Sequence, residues 1–180
     1  MPRRSSDTSG KLTYRDPEND GLIAVIETPR GSRNKYDYDP DLKLFRLAAV
    51  LPEGTVFPYD FGFFPSTKAE DGDPLDVLVL LDESVPPGTI VSVRLVGAIE
   101  AEQRKKGGNW IRNDRLLAVA THAHTHGNVQ SIKDLDSKTV DELEAFFEHY
   151  NRLKESEFKP IERVGPKKAE KLLKDASVSR

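Results

Sequence analysis

The spacing of apolar residues changes once along this chain, and that change limits the folds open to it. Through the first two thirds, apolar residues come in short runs: Leu22–Ile26, Leu44–Val50, Val77–Leu81, Ile90–Ile99 and Leu116–Ala120. Pro, Gly and Asp stand between them. Short runs bounded by turn formers predict strands. Lys35-Tyr36-Asp37-Tyr38-Asp39 alternates and predicts one more. From Val140 the period becomes helical, with Val140, Leu143, Phe146, Phe147, Tyr150 and Leu153 on one stripe. Thr139-Val140-Asp141-Glu142 predicts a capping box at its start. Gly165-Pro166 opens a shorter helix whose inner face carries Ala169, Leu172, Leu173 and Ala176. Strands followed by helices predict an α+β fold, with a closed or nearly closed barrel hiding the strand edges.

A chain of 180 residues fits one domain with a real core. Residues 1–20 are polar and aperiodic and are expected to form a mobile N-terminal arm. Residues 21–176 are expected to form the single domain. The net charge is −3, so no global basic field draws nucleic acid or an anionic membrane, and neither partner is expected. Met-Pro-Arg-Arg-Ser-Ser-Asp has no apolar stretch behind its arginines, so a signal peptide is not expected. No apolar run approaches membrane-spanning length. The absence of Cys removes disulfides, thiolate catalysis and Cys-based zinc sites, and suits a reducing cytoplasm.

Within this framework the densest chemistry is Asp71-Gly72-Asp73-Pro74-Leu75-Asp76, at the mouth of the Val77–Leu81 run. Gly72 permits a positive φ and Pro74 fixes the next backbone angle, so the turn is expected to be rigid. Three carboxylates held together repel one another unless a cation sits among them. All-oxygen donors favour Mg²⁺, Mn²⁺ or Ca²⁺ over zinc. A solvated acidic turn is the plain alternative. An EF-hand does not fit, because Leu75 and Asp76 break its register.

Other segments gain meaning only beside that turn. Glu27 ends a strand just before Pro29. Lys35 and Asp37 share a strand face, either as a solvated ion pair or as a phosphate cation with an acid nearby. Asn113-Asp114-Arg115 puts an acid and a cation at another strand mouth. His122, His124 and His126 would share one side if extended, and form a rival site for a transition metal. Arg104, Lys105 and Lys106 before Trp110 read as a solvated hairpin tip. Tyr150 reads as a core aromatic with its hydroxyl at the rim.

In this order, the segments resemble family I soluble inorganic pyrophosphatases. The resemblance rests on Asp71–Val79, Val25-Ile26-Glu27, Lys35-Tyr36-Asp37, Phe57–Phe63 and Phe146-Phe147-Glu148-His149-Tyr150, and runs from about Ile23 to Lys159. It implies an OB-like closed or partly closed β-barrel with flanking C-terminal helices. It also implies Mg²⁺-dependent hydrolysis of diphosphate to two phosphates, with Mn²⁺ as a substitute, in a homo-oligomer that is a hexamer in many bacterial members. Carried over by position, Asp71, Asp76 and Asp114 would be metal ligands and Glu27 would act on the metal through water. Asp73 would be the general base, and Lys35, Arg115 and Tyr150 would bind phosphate oxygens.

Several positions depart from the family pattern. The usual Glu is Asp37, a cation expected near Ala48-Ala49 is absent, a Tyr is Phe61, and an acidic ligand falls near Glu102-Gln103. Arg46 is a nearby substitute for the missing cation. Strict spacing puts Asn113, not Asp114, at a ligand position, so Asp114 serves only if the backbone shifts by one residue. The Lys after Tyr150 is Asn151, with Arg152 and Lys154 as nearby substitutes. These changes leave open two alternatives: a metal-dependent hydrolase of another phosphoanhydride or nucleotide, and a non-catalytic OB-like anion-binding module.

Overall fold

The computed structural model describes residues 12–178. Nine strands form: β1 (Leu22–Thr28), β2 (Asn34–Asp39), β3 (Leu44–Val50), β4 (Asp60–Phe63), β5 (Asp76–Leu80), β6 (Ile90–Lys105), β7 (Ile111–Arg112), β8 (Arg115–Ala120) and β9 (Ser156–Val164). Two helices, α1 (Ser137–Leu153) and α2 (Pro166–Asp175), flank β9 in sequence. Strand β1 pairs β4, β4 pairs β5, β5 runs parallel to β8, β8 pairs β6, and β6 returns to β1. Those five strands therefore close on themselves, as the need to hide edges predicts. Strands β2 and β3 form a separate hairpin.

Alternation along the strands sorts side chains onto two faces. Val77 and Val79 of β5, with Leu116, Ala118 and Ala120 of β8, join one core that includes Ala169 and Leu173 of α2. Leu78 and Leu80, with Leu117 and Val119, join another that includes Val140, Leu143, Phe147 and Tyr150 of α1. The same period run backwards puts Asp76, Asn113 and Arg115 on the α1 face, and Asp114 on the α2 face.

Two glycines are needed where they stand, one for a close approach and one for a turn. A Cβ on Gly62 would lie 1.9 Å from the Val25 carbonyl oxygen, so only glycine lets β4 approach β1 there. Gly72 has φ +95° in the acidic turn, as expected.

Several expectations change. Strand β9 was not anticipated: it is polar and holds Pro160, which no central strand tolerates. Pro160 stands opposite Ala101, where the β6–β9 register shifts. The cap of α1 is Asp136, whose carboxylate accepts from Lys138 N at 2.8 Å, so Thr139 lies inside the helix. The capping box belongs instead to Ser131 and Asp134, on a short 3-10 turn. His122, His124 and His126 lie in turns, so strand alternation does not align them. Within the span read as an arm, Ile23 N donates to Tyr14 O at 2.9 Å and Arg15 bridges Leu22. Residues 1–11 of that span lie outside the described residues. Among the described residues, no helix is long and apolar enough to cross a membrane.

Candidate active site

The mouths of β5 and β8 meet beside the C-terminal end of α1. Asp76 opens β5 in register with Arg115, which opens β8. Asp76 Oδ2 lies 2.6 Å from an Arg115 amino nitrogen. The guanidinium is buried against the neighbouring rings of Phe147 and Phe158, 5.0 and 5.3 Å from their centroids. Asn113 accepts from Arg115 through Oδ1 and donates through Nδ2 to Asp71 Oδ2 at 3.0 Å. Asp71 Oδ1 accepts from Asp73 N at 3.1 Å, which closes the acidic turn as an Asx turn. The Asp73 side chain is left exposed.

Glu27 enters from β1 through an irregularity. Ile26 pairs with Gly62 and Thr28 with Phe61, so Glu27 is the extra residue of a bulge. Bulges re-aim side chains. The Glu27 carboxylate accepts from Tyr38 N at 2.8 Å and lies 3.7 Å from Lys35 Nζ. Lys35 also pairs with Asp37 and sits 5.2 Å from the Phe61 ring centroid. Tyr150 is buried, its ring 5.6 Å from that of Phe57. Lys154 Nζ lies 4.8 Å from the Tyr150 centroid.

Electrostatics mark this cluster as short of cations. Burial pushes the Glu27 carboxyl up to about 7; Lys35 opposes the rise, and Asp76 and Asp37 add to it. Burial likewise raises Asp76, with Arg115 and Lys35 opposing and Asp71 and Asp73 adding. Asp71 rises from burial and from the neighbouring Asp73 charge. Tyr150 rises through burial and then the acids around it, so its phenol stays protonated and can donate. Lys154 is lowered, first by desolvation of its ammonium and then by the cations Arg115 and Lys35.

The structure thus gathers Glu27, Lys35, Asp71, Asp76, Arg115 and Tyr150, with Asp73 at the rim. It does not bring in Asp114. The backbone makes no one-residue shift, so Asp114 points to the α2 face, accepts from Ala101 N at 3.0 Å and pairs with Arg112 at 2.9 Å. Arg46 pairs with Asp39 at 2.5 Å on the hairpin surface and does not fill the place near Ala48. Glu102 and Gln103 lie on β6, paired to β7 and β9. Asn151 turns into α1 and donates to Phe147 O at 2.8 Å. Of its two substitutes, Lys154 reaches the site. Its spacing of four from Tyr150 was the available signal, because such residues share a helix face.

A hard divalent cation fits this donor set. Every candidate ligand is a carboxylate oxygen, and the raised acids are those a cation would relieve. Among the described residues, no three His, Asp or Glu groups converge into a ready-made cage. An open set of carboxylates suits an ion that keeps water and substrate oxygens in its shell.

Fold and site together define a class: an OB-like ring of strands whose mouths present an acid-rich turn edged with cations. The inorganic pyrophosphatase family model matches residues 24–179. An inorganic pyrophosphatase of Thermus thermophilus is 42% identical over 141 residues, covering 78% of each chain. One from Synechocystis is 41% identical over 134 residues, 74% of this chain and 76% of the relative. The crystal structure of the Thermus thermophilus inorganic pyrophosphatase superposes with a TM-score of 0.82 at 37% identity, covering 92% of this chain and 94% of that one. The chain belongs to the inorganic pyrophosphatase family, whose members depend on metal.

Proposed function

We propose that this protein hydrolyses inorganic diphosphate to two phosphates with Mg²⁺, Mn²⁺ serving as a substitute. The observation that carries this reading is the joining of the acidic turn to Lys35, Arg115, Tyr150 and Lys154 in one site. Carboxylates alone would repel a polyanion, and cations alone would bind it without activating water. The mixture supports both tasks.

Asp71 and Asp76 would hold the metal, with Glu27 acting from the second side of the cradle. The cation would neutralise substrate charge and make water more acidic. Asp73 Oδ takes the proton of the attacking water, and its exposed position at the rim of the turn suits that task. Water oxygen bonds to one phosphorus as the bridging P–O bond breaks, and the second phosphate leaves with the bridging oxygen. Lys35 and Lys154 steady phosphate oxygens, and the Tyr150 hydroxyl donates to one. The resemblance makes Arg115 a phosphate ligand; at 4% exposure and paired with Asp76 at 2.6 Å it instead anchors that acid beneath the site.

Phosphate release from diphosphate, measured with Mg²⁺ and after chelation, tests the reading. Metal-dependent release is expected, and none in either condition overturns it. Release from nucleoside triphosphates but not diphosphate would favour the other phosphoanhydride reading. A homo-oligomer in the cytoplasm belongs to the same proposal, with a hexamer as the form. Exposed Leu42, Leu44, Leu47 and Val50 on the β2–β3 hairpin offer apolar contact area that supports assembly. Light scattering at a monomer mass would overturn the assembly. No nucleic-acid or membrane partner is proposed.

A further inference from the structure

The acidic turn meets a counter-charge supplied by the chain itself. The connection runs without a break from Asp71 through Asn113 and Arg115 to Asp76. Asn113 Nδ2 donates to Asp71 Oδ2 at 3.0 Å, and Asn113 Oδ1 accepts from Arg115. The same Arg115 nitrogen lies 2.6 Å from Asp76 Oδ2. Its donors also reach the backbone oxygens of Asn113 and Asp114, each at 3.3 Å. The amide orientation follows from its partners, because its oxygen meets a cation and its nitrogen meets a carboxylate. Asn113 and Arg115 are 5% and 4% exposed, so neither group can turn outward without emptying a packed place. The adjacent rings of Phe147 and Phe158 pack against the guanidinium, their centroids 5.0 and 5.3 Å from its carbon.

We propose that Arg115, tied to Asp71 through the Asn113 amide, is a built-in partial counter-charge that holds Asp71 and Asp76 together in the metal-free protein and weakens the turn's hold on a divalent cation. Two consequences follow from charge alone. The turn keeps its shape without metal, because a guanidinium already offsets part of its repulsion. A metal must compete with Arg115 for Asp76 and with Asn113 for Asp71, so binding is weaker than three free carboxylates would give. A carboxylate at position 113 would reverse both effects. It would repel Asp71 in the metal-free state and add a ligand when metal arrives.

This inference rests on the proposed role of the turn as the metal cradle. Its test uses the metal alone, without substrate. Mn²⁺ is titrated by calorimetry into chelator-treated, dialysed full-length protein and into N113D, and the thermal unfolding of both is followed with and without Mn²⁺. N113D is expected to bind Mn²⁺ about tenfold more tightly, the low end of what partners of metal ligands are worth, or to take up one more ion per chain. Its metal-free form should unfold at a lower temperature than the parent, and Mn²⁺ should close the gap. Equal affinity and equal stoichiometry in the two proteins overturn the inference. If N113D does not fold, N113S serves, since it frees Asp71 and Arg115 without adding charge. It should bind Mn²⁺ more tightly than the parent, and unchanged affinity overturns the inference again. Phosphate release without a difference in Mn²⁺ binding leaves the diphosphatase reading standing and removes this one. A Mn²⁺ difference without phosphate release does the reverse.

Discussion

Two clusters of charge lie on opposite faces of the same strand entry, and Glu100 in one is shifted down while Glu27 and Asp76 in the other are shifted up. On the α2 face, Arg112 pairs with Glu100 and Asp114 at 3.1 and 2.9 Å, and Lys168 reaches Glu100 and Glu162 at 3.0 and 3.2 Å. Burial alone would raise the Glu100 carboxyl. Hydrogen bonds from Lys168 and Arg112 outweigh it and hold Glu100 below the usual range. On the α1 face, Lys35 and Arg115 do not offset the burial of Glu27 and Asp76, and both are raised. A cluster that satisfies its own charges holds strands together. A cluster left short of positive charge is suited to a cation from outside.

Substitutions on the two faces should therefore fail in different ways. Asp73→Asn on the α1 face should cut turnover by roughly 10²–10⁴-fold, the usual worth of a general base. Its unfolding temperature should stay near the parent's, and normal turnover would remove the base assignment.

Metal-free stability should depend on pH through Glu27. Unfolded, this carboxyl titrates near 4.5; folded, near 7. Between those values the folded chain keeps a proton that the unfolded chain has lost. Raising pH across that window should weaken the fold, by up to roughly 3 kcal/mol. Denaturant unfolding in chelator should show that slope, and Glu27→Gln should flatten it.

Arg112→Leu on the α2 face should cost about 2 kcal/mol. It leaves Glu100 and Asp114 short of a partner, but Arg112 is partly exposed. Turnover of the folded variant should stay within about threefold of the parent. A larger loss of turnover without a loss of stability would break the contrast between the faces.

Lys154→Ala should produce the smallest change. Loss of one solvent-accessible phosphate contact, about 1 kcal/mol, should raise KM several-fold while kcat holds. Unchanged KM would return the role to Arg152 or leave it unfilled.

Four of the five strands that close on themselves could be read from the chain, because β1, β5 and β8 are apolar runs and β6 begins as one. Strand β9 could not, because its residues are polar and its order comes from pairing with β6. Within the site, alternation through Leu117 and Val119 already puts Arg115 and Asn113 on one face. Asp114 drew attention as an acid beside a cation, and the strand period argues against it. Glu27 looked like an exposed strand end. Its burial depends on a bulge, and a bulge has no signature in local periodicity.

Residue type and local period account for the strand-to-helix order, the acidic turn with its positive φ at Gly72 and the face on which Asn113 and Arg115 lie. Those properties depend on residue type and on a period of two or 3.6, so neighbours in the chain decide them. Long-range packing is what joins Asn113 to Asp71 across 42 residues and brings Lys154, at the end of α1, to Tyr150 and the acids. The same packing sets Arg115 against the rings of Phe147 and Phe158. Barrel closure and helix packing join segments far apart in sequence, and the repulsion or relief felt by each carboxylate depends on those distances.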